Sequence, residues 1–422
     1  MNCERRTANH KLKLGVLAGM GLGLALVAPG QQLKQAGEAA GQSTSDSPDV
    51  PRLVPRTHED RELSFHADHR IILNVMVTDA EGRSASGLTQ QDFALIDGAQ
   101  SRQITSFRGV KGDAANINAH VLLVLDAVNS SVRNLAVQHK EIEKYLTKNR
   151  GRIAYPISLV LVSGSGSRVE PPSRDADILV DELRRLTTGL HAMDCGDPSS
   201  DGSPKSYTAF GRVDALDSLD RANDTGDSRA GTSGQAREAK CLNQRFMSSV
   251  SALNKLVKGQ VDVPGRAIVI WVGPGWPLLT GPGFRPDTPA ARRKHFDYLA
   301  ELSLSLREAQ VTLDSVSSPD LFRHPEPGAE TSATVAPAAA DEADPRDFAL
   351  PLLVRQTGGQ VLSGSKDLAG EIAASINDAN SYYVLSFDAQ PAAGVGEYRT
   401  LDVKVDRPGL TVRTNAAYFA AP

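Results

Sequence analysis

The sequence is poor in aromatic residues and has little net charge. Phenylalanine, tyrosine and tryptophan make up 5% of the 422 residues, and the formal net charge is −4. Proteins that bind nucleic acids combine a basic surface with aromatic stacking residues, so this composition argues against a nucleic-acid partner. The Gly-x-x-x-x-Gly-Lys-Ser/Thr loop that binds phosphate groups is also missing, and no small-molecule substrate is evident.

Motifs for catalysis and for metal binding by histidine or cysteine are missing as well. The sequence contains neither His-Glu-x-x-His nor Cys-x-x-Cys. His66 and His69 are spaced three apart, but we expect both at the surface near a linker. Ser163 and Ser165 lie in a Gly/Ser-rich stretch that has no evident histidine partner, so a loop or hairpin is expected rather than a nucleophile. The sequence therefore predicts a protein that is not an enzyme.

The N-terminus has the pattern of an export signal. Arg5, Arg6, Lys11 and Lys13 precede an apolar run, residues 14–28, which is shorter than the roughly 20 residues of a membrane span. We predict a signal peptide over residues 1–30, with an uncleaved anchor as the alternative. Either reading places the rest of the chain outside the cytoplasm, in the periplasm, in the cell envelope or secreted.

The cysteines fit an oxidising compartment. Cys3 lies in the predicted signal, which leaves Cys195 and Cys241, one at each border of a polar insertion. An even pair in an exported protein predicts a disulfide at the base of that insertion. Two free thiols are the alternative.

The chain divides into a linker, a β-rich segment, an α/β region and a β-rich tail. Residues 31–64 lack hydrophobic periodicity and predict a flexible linker. Residues 65–112 alternate apolar and polar side chains and contain a turn at 79–82, as antiparallel strands do. Residues 381–422 return to this pattern, with a turn at 407–409. We expect the tail to pair with residues 65–112 in a small antiparallel β domain.

Residues 118–380 alternate short apolar strands with amphipathic helices. VLLVLD, ISLVLVS, RAIVIWVG and VTLDSVS read as buried strands, and residues 132–148 have helical spacing. Strands that alternate with helices predict a doubly wound, mainly parallel α/β sheet, here inserted in the antiparallel β domain. Two polar stretches, residues 196–238 and 324–346, are predicted to be exposed loops within it.

A candidate site follows the first strand of this region. VLLVLD ends in Asp126, and Asn129, Ser130 and Ser131 come directly before a predicted helix. In open α/β sheets, ligands bind beyond the C-terminal ends of the strands. We therefore expect Asp126 to face solvent at the rim of the sheet among hydroxyl-bearing neighbours. The alternative is that Asp126 and its neighbours cap the helix and fix the loop.

An apolar strand ending in Asp, then small polar residues, then an amphipathic helix, resembles the von Willebrand factor A domain. The flanking stretches VMVTDAEGRSASGLTQQDFALIDGAQSRQITSF, IVIWVGPGWP and YYVLSFDAQPAAGVGEYRTLDVKVDRPGLTVRTNAAYF look like the VWFA-related proteins found in Acidobacteria. The resemblance spans about residues 65–420, apart from the insertions. It implies a doubly wound α/β fold whose upper edge binds a divalent cation and a protein partner.

The resemblance also implies metal ligands, and here the sequence departs from the family. An Asp-x-Ser-x-Ser motif, a threonine and a second aspartate would coordinate Mg²⁺. Asp126 and Ser130 match, and Thr188 or Thr187 can supply the threonine. However, Val128 replaces the first serine, and Gly273 lies where the second aspartate is expected. The prediction is a degenerate metal site of Asp126, Ser130 and Thr188, with Mg²⁺ as a possible cofactor.

We therefore predict an exported, adhesion-type interaction module whose upper loops bind a protein or cell-envelope partner. Asn129, Gly273 and Trp276 are the predicted partner-binding residues, with packing in the loop as the alternative for Trp276. Trp271 is expected in the core. A metal-free structural envelope protein is the second hypothesis, and a hydrolase is the least favoured.

Overall fold

A computed structural model describes residues 69–112, 119–148, 151–190, 193, 231–276, 289–317, 350–363, 365–392 and 397–420. The predicted signal peptide and linker, the predicted loop 324–346 and Cys195 lie outside these ranges. None of the described helices combines the length and hydropathy that a membrane span requires.

The described residues form fifteen strands, six α-helices and a 3₁₀ turn at Gln90–Asp92. The strands are β1 (Arg70–Thr78), β2 (Phe93–Asp97), β3 (Gln100–Arg102), β4 (Ser106–Lys111), β5 (Ala119–Asp126), β6 (Arg152–Ser163), β7 (Gly166–Val169), β8 (Ser173–Asp175), β9 (Arg266–Val272), β10 (Val311–Val316), β11 (Val361–Leu362), β12 (Ser381–Asp388), β13 (Glu397–Val405), β14 (Thr411–Arg413) and β15 (Ala417–Ala420). The helices are α1 (Val132–Lys148), α2 (Ala176–Thr187), α3 (Gly231–Lys258), α4 (Pro289–Glu308), α5 (Leu350–Gln356) and α6 (Leu368–Asn377).

The central sheet is mainly parallel, as predicted. Its order is β11-β10-β9-β5-β6-β7, and β7 and β8 pair antiparallel with β6. Every residue of β5, β9 and β10 is buried, which explains why these strands read as continuous apolar runs instead of alternating ones. The stretch around Ser163 and Ser165 is the turn of the β6–β7 hairpin, as the sequence indicated.

Helices cover both faces of this sheet and make it doubly wound. Val121, Leu123 and Leu125 of β5 share one core with α1, α2 and α6. Leu122 and Val124 point to the other face and share a second core with α3, α4 and α5. Alternate residues of one strand therefore serve two hydrophobic cores, and the predicted α/β fold class is confirmed.

Two four-stranded antiparallel sheets pack around a third core. Their orders are β14-β1-β12-β4 and β15-β13-β2-β3. β12 pairs with β1 and β4, and β13 pairs with β2, so the tail of the chain pairs with the segment that precedes the α/β region. Ile71, Leu73, Val75 and Val77 point from β1 into this core, and the residues between them, Ile72, Asn74 and Met76, point to the other face of the sheet.

A buried ionic network joins the two parts of the fold. Arg413 of β14 donates to both carboxylate oxygens of Asp378, which follows α6, at 2.8 Å. The Asp378 carbonyl accepts from Nη1 of Arg266 at the start of β9, and the Arg266 guanidinium lies over the Tyr382 ring of β12 at 5.0 Å. These contacts fix the antiparallel sheets at the N-terminal edge of the parallel sheet.

One predicted boundary is wrong. The loop expected over residues 196–238 ends earlier, because α3 already begins at Gly231. Its first turns, GTSGQAREAK, are polar and contain two glycines, so no apolar periodicity marks them as helical.

Candidate functional site at the C-terminal edge of the parallel sheet

Asp126 ends β5 at the expected edge, but it does not face solvent. Its side chain is completely buried and accepts four hydrogen bonds. Oδ1 accepts from the backbone N–H groups of Val128 and Asn129, both at 3.0 Å. Oδ2 accepts from Asn129 Nδ2 at 2.7 Å and from Trp271 Nε1 at 2.8 Å. The prediction of a solvent-facing carboxylate is therefore wrong, because β9 and the following loop cover it.

The carboxylate fixes the loop, and a different residue caps the helix. The two backbone bonds to Oδ1 fold residues 126–129 into a turn that leads into α1. At the start of α1, Ser131 Oγ accepts from the Asn134 backbone N–H at 3.2 Å, the bond expected of an N-cap. The alternative interpretation of Asp126 as a loop-fixing residue matches this geometry.

Two effects act on the ionisation of Asp126. The pKa of Asp126 is raised overall, because burial raises it by more than the hydrogen bonds from Asn129, Trp271 and the Val128 backbone lower it. All four contacts are N–H donors, so a proton on either oxygen would face a donor and not an acceptor. The arrangement therefore fits the ionised carboxylate best.

The predicted partner-binding residues are largely enclosed. Trp276 is 8% exposed and packs edge-on against Trp271, with ring centroids 5.2 Å apart. The Asn129 side chain turns inward and also donates to Ser249 Oγ of α3 at 2.9 Å. Gly273 is buried, and a β-carbon there would lie 2.9 Å from Cβ of Asp126. Trp276 and Gly273 are thus packing residues, which corrects their assignment as partner contacts.

The predicted metal ligands are not brought together as a coordination sphere. Ser130 is buried, and its Oγ accepts from Gln138 Nε2 at 2.6 Å. Thr188 is exposed and donates to the Arg184 carbonyl at 2.7 Å, while Thr187 is buried and bonded to His139 Nδ1 at 3.0 Å. Within the described ranges, no group of three or more His, Cys, Asp or Glu side chains is arranged to hold a metal ion.

A divalent cation does not fit these residues. A carboxylate offers about four lone-pair positions, and at Asp126 each faces an N–H donor. A cation there would have to displace the Trp271 indole or break the turn. A second carboxylate at position 273 would meet Asp126 itself. The site prediction of Asp126, Ser130 and Thr188 as ligands therefore disagrees with the geometry.

Sequence reasoning missed Trp271 and Ser249 as parts of this site. Trp271 read as a core residue of an apolar strand, and Ser249 as one of several serines in a helix. One signal was available: an indole N–H buried in a sheet needs an acceptor, and Asp126 ends the neighbouring strand on the same face.

A second polar cluster lies between α1 and α2. The hydroxyl of Thr187 is hydrogen-bonded to Nδ1 of His139. The other ring nitrogen of His139, Nε2, lies 3.6 Å from Oε2 of Glu143. This order resembles that of a nucleophile, a base and an orienting acid. However, Thr187 is 2% exposed and donates to the Leu183 carbonyl at 2.8 Å, so the hydroxyl has no access to a substrate. The cluster bridges two helices.

Cys241 of α3 is disulfide-bonded. Its predicted partner, Cys195, lies outside the described residues, so that pairing stays a prediction.

No protein-family model matches the chain, and no curated protein matches it either. Among solved structures, manganese-loaded TRAP of Plasmodium vivax is similar at 10% identity and TM-score 0.28, over 76% of this chain and 97% of that one. Human COPII-coat Sec24c is similar at 9% identity and TM-score 0.27, over 72% and 43%. A von Willebrand factor type A protein from Catenulispora acidiphila is similar at 11% identity and TM-score 0.24, over 84% and 74%.

These scores are too low to decide a fold or a site by themselves. The architecture of this chain follows from its own strand order and helix placement, which form the doubly wound, mainly parallel α/β sheet predicted from the sequence.

Proposed function

We propose that this protein is an exported interaction module that binds a protein partner at the C-terminal edge of its parallel sheet. The proposal includes no catalytic step. The predicted kinship with VWFA-related proteins of Acidobacteria and the cell-envelope location of the partner are parts of this proposal.

The observation that supports it is the construction of this edge. Below it, hydrogen bonds among Asp126, Asn129, Trp271 and Ser249 connect β5, β9, α3 and the loop that leads into α1. Above that layer, the C-terminal end of α2, the β6–β7 turn and the residues after β9 and β10 lie at the same edge. A rigid sheet that positions several loops at one edge is a common arrangement for binding.

Three described residues at this edge are followed in the sequence by segments outside the described ranges. Residues 194–230, 277–288 and 318–349 each connect to described residues at this edge, namely Met193, Trp276 and Ser317. Met193 lies beside Gly164 of the β6–β7 turn. A β-carbon placed on Gly164 would lie 3.7 Å from Cγ of Met193.

The exposed threonine at this edge offers a test with a matched control. Thr188 directly follows α2 and donates its hydroxyl to the Arg184 carbonyl. Thr147, near the end of α1 and at the opposite edge, bonds its hydroxyl to the Glu143 carbonyl in the same way, at 2.8 Å. Both threonines are exposed. Thr188→Glu and Thr147→Glu therefore add the same negative charge and remove the same kind of hydrogen bond near the end of a helix. They do so at opposite edges of the parallel sheet.

The experiment is affinity capture from envelope extract with the mature chain, followed by direct binding to the captured protein. We expect Thr188→Glu, alone or combined with Ser165→Glu in the β6–β7 turn, to weaken binding, and Thr147→Glu to leave it unchanged. Equal binding by all variants would refute the location of the surface. Export is tested separately by fractionating cells that produce the chain with and without residues 1–30.

The second hypothesis is a structural protein that assembles through its β sheets. The edge strand β4, SFRGVK, carries Arg108 and Lys111, and charged side chains on an edge strand oppose pairing with a further strand. The binding hypothesis is therefore preferred.

A further inference from the structure

The carboxylate of Asp126 is buried and forms no ion pair with a Lys, Arg or His side chain among the described residues. Burial and hydrogen bonds from N–H groups have the largest influence on its ionisation. A buried charge is costly unless it is paired or fully hydrogen-bonded. A bound cation is one way to meet this requirement, and neutral N–H donors are another.

The donors present are arranged to do this alone. Two backbone N–H groups converge on Oδ1, and the Asn129 amide and the Trp271 indole converge on Oδ2, all between 2.7 and 3.0 Å. Bonds of this length to an ionised acceptor belong to the stronger class. Together they occupy the lone-pair directions that a metal ion would use.

The surrounding packing holds the indole in place. Trp271 is fully buried within β9, and Trp276 contacts its ring edge-on. The Asn129 amide is fixed in turn by Ser249 of α3. Because Gly273 leaves no room for a side chain beside Asp126, the neighbouring position cannot supply a second carboxylate.

We propose that the Trp271 indole N–H and the Asn129 amide take the place of a divalent cation at Asp126, so that this edge of the sheet is held in one arrangement without metal. The site is then a permanent anchor between β5, β9, α1 and α3, and not a switch that responds to Mg²⁺ or Mn²⁺. This inference does not depend on the proposed partner binding.

The first test uses the wild-type chain and Mn²⁺. Electron paramagnetic resonance distinguishes free from bound Mn²⁺, and we expect the free-ion signal to persist at full amplitude in the presence of the protein. Thermal unfolding is expected at the same temperature in Mg²⁺, in Mn²⁺ and in chelator. Stoichiometric Mn²⁺ binding that Asp126→Asn abolishes would overturn the proposal, whether or not a partner is captured.

The second test compares the two tryptophans. Trp271→Phe and Trp276→Phe remove the same indole, but Trp276 Nε1 has no partner among the described residues. We expect Trp271→Phe to lower the unfolding midpoint more than Trp276→Phe. With both indole nitrogens labelled, the resonance that persists in Trp276→Phe is assigned to Trp271. In the wild type we expect this Trp271 N–H to exchange slowly with water. Rapid exchange of that proton, or equal destabilisation by both variants, would contradict the proposed bond to Asp126.

Discussion

Asp314 provides a quantitative test of the buried network between the two parts of the fold. It lies on β10 and is completely buried. Oδ1 accepts one hydrogen bond, from the Gln360 backbone N–H at 2.8 Å, and Oδ2 has no partner within the described ranges. Burial, followed by the nearby Asp378 carboxylate, raises the pKa of Asp314 to about 6, although Arg266 and Arg413 act in the opposite direction.

This pKa gives the sign and the approximate size of the change in stability with pH. Between about pH 4 and pH 6 the folded chain holds a proton at Asp314 that the unfolded chain has lost. The free energy of unfolding therefore falls as the pH rises through this window. A pKa of about 6 against 3.8 corresponds to about 3 kcal/mol, so at neutral pH the ionised side chain lowers stability by roughly this amount.

Asp314→Asn removes the charge and keeps an oxygen that can accept from Gln360. Urea unfolding at several pH values from 4.5 to 8 gives the free energy of unfolding for both proteins. We expect the variant to be more stable than the wild type by up to about 3 kcal/mol at pH 7.5, with the difference shrinking as the pH falls. The comparison uses the difference in free energy between the two proteins, because His120 contributes equally to both. Burial lowers the pKa of His120, so its protonation lowers the stability of both proteins below about pH 6.5.

Asp402→Asn is the control, because Asp402 is exposed on β13 beside Lys404. Its free energy of unfolding should differ little from that of the wild type, and the difference should not change with pH. A less stable Asp314→Asn variant at pH 7.5 would refute the reasoning. It would mean that the ionised carboxylate is favourably paired with Arg266, whose Nη2 has no partner among the described residues.

Three further substitutions test other contacts. Gly359→Ala places a β-carbon 1.9 Å from the Leu313 carbonyl oxygen and should lower the free energy of unfolding by about 2 kcal/mol or more, measured by urea unfolding; a change near zero would mean that the loop moves freely. Arg413→Gln removes the ion pair with Asp378 and should cost about 2 kcal/mol, a loss that Asp378→Asn in the same chain should partly cancel in a double-mutant cycle. Asp126→Asn turns an amide N–H toward the donors around it and should cost about 3 kcal/mol, with a stable variant contradicting the four-donor arrangement.

The sequence predicted those elements whose pattern is local. The helix over residues 132–148 has its observed bounds, because Leu135, Ile142, Tyr145 and Leu146 repeat at helical spacing and are all buried. The turn at 79–82 forms as expected, with the Gly82 N–H bonded to the Asp79 carbonyl at 3.0 Å. The short strands β3, β8 and β11 had no such signal, because strands of two or three residues exist only through the partners that they pair with.

The site could be placed but not interpreted from the sequence. A strand ending in an aspartate located Asp126 at the correct edge. Its burial depends on Trp271, which is 145 residues away in the chain, and on the packing of α3. The apolar strand that carries Trp271 has no local feature that tells a buried hydrogen-bond donor from an ordinary core residue. The departures from the motif at Val128 and Gly273 can be read in the sequence, but the Asn129 and Trp271 side chains that donate to Asp126 cannot be identified there.

Asp126 and Asp314 show that burial alone does not determine how a carboxylate behaves in this fold. Both are completely buried in the parallel sheet, and burial raises the pKa of both. Asp126 accepts four hydrogen bonds and forms no ion pair among the described residues, whereas Asp314 accepts one and lies near a second carboxylate. Hydrogen-bond donors stabilise the charged form where they are complete and leave it costly where they are few. The same Asp→Asn change should therefore destabilise the chain at Asp126 and stabilise it at neutral pH at Asp314.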